Sequence, residues 1–529
     1  MGKLLFDTTI CAPATRGGAI SVIRVSGPDA ISIADRITRS NPLLSAKGYT
    51  MHYDAIMDDG QVLDDVIISV FRAPHSYTGE DSVEISCHAS PYIVSRILDL
   101  LVSNGACLAG PGEFTQRAFV NGKMDLSQAE AVADVIAANS RFSHQVASAQ
   151  LRGGYSRDLE KIRSQLLEIA SLLELELDFS EEEVEFAERG KLLELARAAA
   201  LHCHRKAESF RVGNAAKNGV PVAIVGTPNS GKSTLLNALL GDDRAIVSDI
   251  PGTTRDTIED SCVIGGILFR FIDTAGIREH TDDKIEQIGI ERSLKEIERA
   301  RIVLHVMDAT STTRAEEKAS LLPHLHPNDQ LYVPVINKID MAATELTSAE
   351  ASATTPLAAS TVPSTLPASE APSTSPSAPS PASAVSSTLL SSLPSSASTV
   401  PSLSSSPSPL PLPSPDRALE ALQMEAIGIS ALTGDGLDEL RTAIVNAVQK
   451  DIDSFLDSGP LVSSQRHATE LAAAATDLDA VCHGIETCLP GDLIAEDLRS
   501  AINHLGAITG TITTPDILKE IFSKHCIGK

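Results

Sequence analysis

Residues 226–233 read GTPNSGKS, which is the spacing of a loop that binds phosphate. The apolar run at 222–225 predicts a buried strand before this loop, and residues 234–240 predict a helix after it. Main-chain N–H groups of such a loop surround phosphate oxygens, while its lysine adds positive charge and its final hydroxyl ligates Mg²⁺. We therefore predict nucleotide contacts at Asn229, Ser230, Gly231, Lys232, Ser233 and Thr234, with Ser233 on Mg²⁺.

Four further segments follow in order, and together they predict a GTPase. Residues 252–256 read GTTRD and supply Thr254 as a second Mg²⁺ ligand, while residues 273–276 read DTAG directly after an apolar strand. Residues 337–340 read NKID and residues 430–432 read SAL, each after another apolar run. The further predicted GTP contacts are Ser248, Asp249, Ile250, Pro251, Gly252, Thr253, Thr254, Asp273, Thr274, Ala275, Gly276, Asn337, Lys338, Asp340, Ser430, Ala431 and Leu432.

The NKID segment predicts that the base is guanine. The Asp340 carboxylate accepts from both guanine N–H groups, and Asn337 holds the base edge. Adenine lacks that pair of donors, so it would leave the carboxylate unpaired.

The hydrolytic machinery departs from the Ras-like pattern. Ile277 stands where a glutamine would orient the attacking water, so another group must position that water. Asn229 offers an additional oxygen near the β–γ bridge, where a monovalent cation could replace an arginine finger. The alternative is that Asn229 only shapes the loop, and the spacing alone leaves both readings open.

Composition limits the class of protein. The 529 residues suffice for three or four domains, and eight scattered cysteines match neither a disulfide framework nor a zinc site. Neither a membrane-spanning stretch nor a signal peptide is expected. The cysteine pattern predicts a protein of the reducing cytoplasm. The formal net charge of −26 is unfavourable for binding nucleic acid alone, because phosphate neutralisation dominates that affinity. An RNA substrate would therefore require a basic partner.

The predicted fold class is multidomain α/β. Residues 1–118 show short strands at 19–27, 62–71 and 82–87 and a helix at 92–102, an α+β domain. Residues 119–218 and 451–529 are helical and predict one discontinuous domain into which a P-loop domain, 219–450, is inserted. Residues 341–415 are rich in Ser, Pro and Ala and are predicted to be disordered.

Local patterns place several helix ends. The SQAE segment at 127–130 predicts a capping box, and helices are predicted at 156–177, 461–478 and 490–505. Residues 513–516 are expected to cap the last helix, and Gly265–Gly266 to form a two-residue hairpin turn. The acidic run at 181–185 is interpreted as the first turn of a helix.

Outside the nucleotide motifs, the chain carries several short motifs: RGG at 16–18, IRVSG at 23–27, YTGED at 77–81, PGEFT at 111–115, NGKMDL at 121–126, QAE at 128–130 and the terminal CIGK at 526–529. With these motifs and this order of domains, the chain resembles the MnmE (TrmE) family of tRNA-modifying GTPases, within the TrmE-Era-EngA-like superfamily. The resemblance covers nearly the whole chain except 341–415.

The resemblance implies a potassium-activated GTPase that is a homodimer through its N-terminal domain. It implies a heterotetramer with the flavoprotein MnmG, which carries FAD. Together they would modify C5 of the wobble uridine of certain tRNAs, using 5-formyl- or 5,10-methylene-tetrahydrofolate and glycine or ammonium. A regulatory GTP switch in ribosome assembly, without modification chemistry, is the alternative.

The resemblance also implies roles for individual residues. It implies folate contacts at Arg24, Glu84, Lys123 and Lys529, and K⁺ ligands at Asn229, Ser248, Ile250 and Thr253. The implied catalytic residues are Glu286, Lys232 and Arg255, with Cys526 as a further candidate. One extra residue separates Gly276 from Glu286, so Asp282 and Asp283 are the alternatives. His525 stands where the family usually has an aromatic residue, and Cys526 could equally have a positional role.

Overall fold

The computed structural model describes residues 7–15, 17–178, 189–241, 260–272, 297–326, 330–341, 425–456, 459–523, 525 and 528. The insertion from 342 onward and the acidic run at 181–185 lie outside these residues.

The N-terminal domain is a six-stranded sheet with helices packed against it. In chain order its elements are β1 (Ile10–Pro13), β2 (Ile20–Ser26), α1 (Ala30–Arg36), β3 (Thr50–Asp58), β4 (Gln61–Phe71), β5 (Ser82–His88), α2 (Pro91–Ser103), β6 (Cys107–Leu108) and α3 (Glu113–Val120). The sheet order is β3-β4-β5-β2-β1-β6. Alternate residues of β4 and β5 are buried, as expected when one sheet face packs on a core. This confirms the predicted α+β character.

Helices continue the chain toward the nucleotide domain. They are α4 (Leu126–Ala137), α5 (Arg141–Leu151), α6 (Gly154–Asp178) and α7 (Arg189–Asn218). The capping box predicted at 127–130 is wrong. Asp125 is the N-cap of α4, and its side chain pairs with Gln128 in a capping box two residues earlier. Ser127 is buried inside the helix, where its hydroxyl contacts Ser156 at 2.8 Å.

The nucleotide domain is a second six-stranded sheet. Its elements are β7 (Val220–Val225), α8 (Lys232–Leu240), β8 (Asp260–Ile264), β9 (Ile267–Phe271), β10 (Ile302–Asp308), α9 (Arg314–Leu321), β11 (Leu331–Asn337), β12 (Ile427–Gly428) and α10 (Leu437–Leu456). The order is β12-β11-β10-β7-β9-β8, and neighbouring strands are parallel except in the β8–β9 hairpin. Gly265 and Gly266 form that hairpin turn with φ of 60° and 81°, as predicted.

Three helices follow: α11 (Gln465–Glu486), α12 (Gly491–Thr509) and α13 (Pro515–Ser523). α11 packs on α7, and residues of α6, α7, α11 and α12 share one hydrophobic core. Helices from both sides of the nucleotide domain therefore form one body. The helix predicted at 461–478 starts later, at Gln465, because buried Leu461 and Val462 lie in a loop across α7. A Cβ on Gly213 of α7 would lie 2.1 Å from the Val462 carbonyl oxygen.

Among the described residues, no helix combines the length and the apolar character needed to cross a bilayer.

Candidate functional site

Three of the motifs that predict a nucleotide site lie at one edge of the second sheet. The P-loop follows β7, the NKID segment follows β11, and the SAL segment follows β12. These strands belong to the parallel part of the sheet, so their carboxyl ends lie at the same edge. Ligands of open α/β sheets bind outside this edge.

The P-loop has the backbone that phosphate binding requires. Gly231 is the N-cap of α8 with φ of 94°, and Asn229 is also left-handed, with φ of 62°. Gly226 must lack a side chain, because a Cβ there would lie 2.1 Å from the Val306 carbonyl oxygen. Lys232 Nζ donates to the carbonyl oxygens of Gly226 and Thr227, both at 2.8 Å. The ammonium group therefore lies within the P-loop, where the phosphates of a nucleotide are predicted to bind.

Asn337 connects three of the motifs. Its Nδ2 donates to the Ser230 carbonyl oxygen at 2.9 Å, and its Oδ1 accepts from the Ala431 N–H at 2.9 Å. The side chain is only 3% exposed. Because a buried amide with satisfied donors and acceptors has one favoured orientation, Asn337 fixes the P-loop relative to the SAL loop. The sequence had suggested only a contact with the base edge.

The backbone leaves the extended conformation at Lys338, directly after β11. Lys338 has φ of 68°, and its Nζ lies 2.6 Å from Asp308 Oδ2 at the end of β10. Burial acts to raise the pKa of Asp308, but hydrogen bonds from Lys338 and Thr310 outweigh it and leave that pKa below its ordinary value. The pair aligns the ends of β10 and β11.

The SAL loop closes the site on the β12 side. Ser430 is fully buried, and its Oγ accepts from the Thr433 N–H at 3.2 Å. Leu432 is 82% exposed, while Asp340 is half-buried. An exposed apolar side chain such as Leu432 can cover a planar base, and the half-buried Asp340 carboxylate is accessible to the polar edge of a base.

Several predicted residues lie outside the described part of the chain. They are Ser248, Asp249, Ile250, Pro251, Gly252, Thr253, Thr254, Arg255, Asp273, Thr274, Ala275, Gly276, Asp282, Asp283, Glu286, Cys526 and Lys529. Of the predicted ion ligands, Ser233 lies in the first turn of α8 and Asn229 lies exposed on the P-loop. A hydroxyl and an amide oxygen are hard donors, which fit Mg²⁺ and an alkali cation. These site assignments remain predictions.

A second constellation lies in the N-terminal sheet. Arg24 of β2 and Glu84 of β5 are directly opposite each other, and Glu84 Oε1 accepts from Arg24 Nε at 3.0 Å and from Nη2 at 2.8 Å. The guanidinium lies over the rings of Tyr77 and Phe114, 5.0 and 5.7 Å from their centroids. Burial raises the pKa of Tyr77, although its hydrogen bond with Thr115 and nearby Arg24 act against this.

Sequence reasoning did not assign Tyr77 and Phe114 to this constellation. Tyr77 lies in the motif at 77–81 and Phe114 in the motif at 111–115. The motifs therefore pointed to these segments but not to the packing of the two rings against Arg24. Lys123 is exposed and donates from Nζ to the Pro74 carbonyl oxygen at 3.0 Å.

The C-terminal segment reaches the same sheet. Gly528 packs so closely on the end of β1 that a Cβ would lie 2.1 Å from the Pro13 carbonyl oxygen. Pro13 pairs with Ile23, the neighbour of Arg24. Buried His525 contacts the carbonyl oxygens of Ala129 and Ile521, each at 3.0 Å. His525 therefore contacts α4, and Gly528 contacts the end of β1.

Two family models match this chain, one over the N-terminal domain and one over the rest of the chain from α4 onward. Residues 9–123 match the model described as GTP-binding protein TrmE N-terminus, and residues 126–526 match the MnmE helical domain. The chain belongs to the MnmE family of tRNA modification GTPases. As a member of the MnmE family it is a GTP hydrolase that acts in tRNA modification.

Relatives named tRNA modification GTPase MnmE are similar over nearly their whole length. That of Bacteroides thetaiotaomicron is 43% identical, covering 98% of this chain and 99% of the relative. That of Flavobacterium johnsoniae is 41% identical, covering 97% of each.

Among solved structures, the G domain of the T. maritima FeoB iron transporter is 18% identical, covering 43% of this chain and 98% of that one, with a TM-score of 0.22. Aquifex aeolicus Era bound to GDP and AlF4⁻ is 22% identical, covering 49% and 66%, also with a TM-score of 0.22.

Proposed function

We propose that this MnmE-family chain uses potassium-activated GTP hydrolysis to support modification of C5 of the wobble uridine, position 34, of certain tRNAs. The reaction adds a carboxymethylaminomethyl or aminomethyl group. Its carbon comes from 5-formyl- or 5,10-methylene-tetrahydrofolate and its nitrogen from glycine or ammonium. The chain acts in the cytoplasm as a homodimer, with the FAD-carrying flavoprotein MnmG as its partner in a heterotetramer.

One observation supports this proposal beyond GTP hydrolysis: Gly528 contacts β1, the strand that pairs with the Arg24-bearing strand β2. Gly528 lies on Pro13, and Pro13 pairs with the neighbour of Arg24. A carboxylate suits the amide-like edge of a pterin, and cations such as Lys123 and Lys529 suit a glutamate tail. A GTP switch without modification chemistry has no use for this second site.

In the nucleotide site, the chain's own groups would act as follows. The Lys232 ammonium leaves the carbonyl oxygens of Gly226 and Thr227 and pairs with the outer phosphates. Asp340 accepts from the guanine N–H groups, while Asn337 keeps the base loop and P-loop in register. Ser233 would hold Mg²⁺, which neutralises charge on the phosphates, and Asn229 would hold K⁺ beside them.

The test of the proposed function is nucleoside analysis of tRNA from a strain lacking this chain. We expect the C5-substituted wobble uridine to disappear and to return when the full chain is restored. Unchanged nucleosides in the deletion strain would contradict the proposal and favour the ribosome-assembly alternative.

Potassium dependence gives a separate prediction. Hydrolysis is expected to be about 10-fold or more faster in KCl than in NaCl at equal ionic strength, since a positive charge at this position is worth ~10³–10⁵ where an arginine finger supplies it. Asn229→Ala should remove the difference, measured as phosphate release. Thr227→Ala, an exposed side chain of the same loop, is the matched control and should keep it. Equal rates in both salts would exclude the alkali cation.

Glu286 is predicted to position the attacking water. Glu286→Ala should bind GTP with unchanged affinity but hydrolyse it about 10²-fold more slowly, the lower range for loss of a general acid–base group. Single-turnover hydrolysis measures the chemical step, and Asp282→Ala and Asp283→Ala serve as controls. Unchanged turnover of Glu286→Ala, with a loss in either control, would move the role to that aspartate.

A further inference from the structure

A cavity of about 330 Å³ lies where the nucleotide domain joins the helical domain. Its walls come from the end of α7, the start of β7, residues 299–301 before β10, and the second half of α10. Val220 and Pro221 line it from the amino end of β7, whereas the P-loop follows the carboxyl end of that strand. The cavity is therefore separate from the nucleotide site.

Positive charge dominates the polar lining. Among the residues that the structure describes, the lining contains four arginines, Arg211, Arg270, Arg299 and Arg301, and one carboxylate, Asp451. Asp451 forms an ion pair with Arg301. Arg211, Arg270 and Arg301 also have further partners, but each guanidinium carries five N–H donors that point in several directions. Four arginines around one small space are unusual in a chain whose net charge is −26.

The rest of the lining is apolar and partly aromatic. Phe142 of α5 and Phe210 of α7 face the cavity from the helical domain, and Val448 and Ile452 face it from α10. An apolar pocket with a few convergent polar groups is the usual form of a small-molecule site, and ~300–1,000 Å³ is the usual size. Arginine is the side chain best suited to hold phosphate, carboxylate or sulfonate groups in such a place.

We propose that this cavity binds a small amphiphilic anion, an organic phosphate or carboxylate with an aromatic or aliphatic body. The acidic group contacts the arginines, and the body lies against Phe142 and Phe210. Arg211 belongs to the helical domain and Arg299 to the nucleotide domain, so one bound anion would link the two.

Two dyes with one aromatic skeleton test this proposal. The anionic dye is 8-anilinonaphthalene-1-sulfonate, and the neutral one is N-phenyl-1-naphthylamine, which lacks the sulfonate. Fluorescence titrations use the full chain saturated with GDP, so that the nucleotide site is filled. The sulfonate dye is expected to bind in a saturable manner and more tightly than the neutral dye.

Arg299→Gln supplies the decisive variant, because Arg299 is exposed at the cavity rim. Its affinity for the sulfonate dye should fall about 10-fold, the effect of losing one hydrogen bond to a charged group, with affinity for the neutral dye unchanged. Arg205→Gln, an exposed arginine of α7 outside the lining, is the matched control and should change neither affinity. Far-UV circular dichroism verifies folding of both variants.

Equal sulfonate-dye affinities in Arg299→Gln and Arg205→Gln would overturn the proposal, as would the absence of saturable binding below ~1 mM. An equal loss of affinity for both dyes in Arg299→Gln would also overturn the proposal. Such a loss would not depend on the sulfonate group, so it would indicate an apolar pocket rather than an anion site.

Discussion

Gly231→Ala is expected to abolish GTP binding at concentrations that saturate the unmodified chain. A Cβ at this position would lie 2.1 Å from Asn337 Nδ2, and Gly231 has φ of 94°. The Asn337 amide would have to leave both the Ser230 carbonyl oxygen and the Ala431 N–H. Leaving two such buried groups unpaired costs ~1–3 kcal/mol each, so the dissociation constant should rise at least ~10²-fold.

The measurement is titration with a fluorescent GTP analogue, and Gly60→Ala is the matched control. Gly60 has a similar φ of 79° but nothing within 4 Å of the added Cβ, so it isolates the cost of backbone strain. Gly60→Ala should lower thermal stability slightly and bind GTP normally. Normal binding by Gly231→Ala would show that the hydrogen bonds of Asn337 are not needed to form the site.

The sequence alone places the P-loop, NKID and SAL segments at strand ends, because each is a short segment that directly follows one apolar run. It did not reveal how those segments hold one another. The partners of Asn337 lie 107 and 94 residues away along the chain. The pairing of β10 with β7 and β11 brings Ser230 to Asn337, and the pairing of β11 with β12 brings Ala431 to it. Local patterns identify which residues can perform chemistry, whereas strand register decides which of them meet.

The capping box of α4 shows the opposite case, in which two local patterns compete. Ser127 with Glu130 and Asp125 with Gln128 both fit the spacing of a cap. The contact between Ser127 and Ser156 of α6 places the first inside the helix, so tertiary packing decides the helix start. No window of sequence around Ser127 contains that information.

For the N-terminal constellation, the sequence indicated some of the residues but not how they are arranged in space. Family motifs indicated Arg24 and Glu84, which are 60 residues apart, and the β2–β5 register makes them direct neighbours. The rings of Tyr77 and Phe114 against the guanidinium add a restraint that spacing could not show. The Arg24 guanidinium is hydrogen-bonded to the Glu84 carboxylate and packs against the two rings. These protein contacts alone fix its orientation.

This arrangement predicts that Arg24→Gln separates the proposed folate binding from GTP hydrolysis. The glutamine retains part of the packing against Tyr77 and Phe114 but removes the charge, leaving Glu84 without the cation that orients it. Binding of 5-formyl-tetrahydrofolate, measured by equilibrium dialysis, should weaken about 10-fold or more, as expected when a hydrogen bond to a charged group is lost in a half-buried pair. GTP hydrolysis, measured on the same preparation, should remain within error of the unmodified chain.

Arg96→Gln is the matched control for charge removal, because Arg96 forms a two-point pair with Asp58 in the same domain, at 2.6 and 2.8 Å. Arg96 is more exposed than Arg24, so its substitution should change stability little and leave folate binding intact. Equal folate affinity in both variants would remove Arg24 from the site. A loss of GTP hydrolysis in Arg24→Gln alone would instead show that the two sites are energetically coupled, since the Arg24 substitution lies in a different sheet from the P-loop.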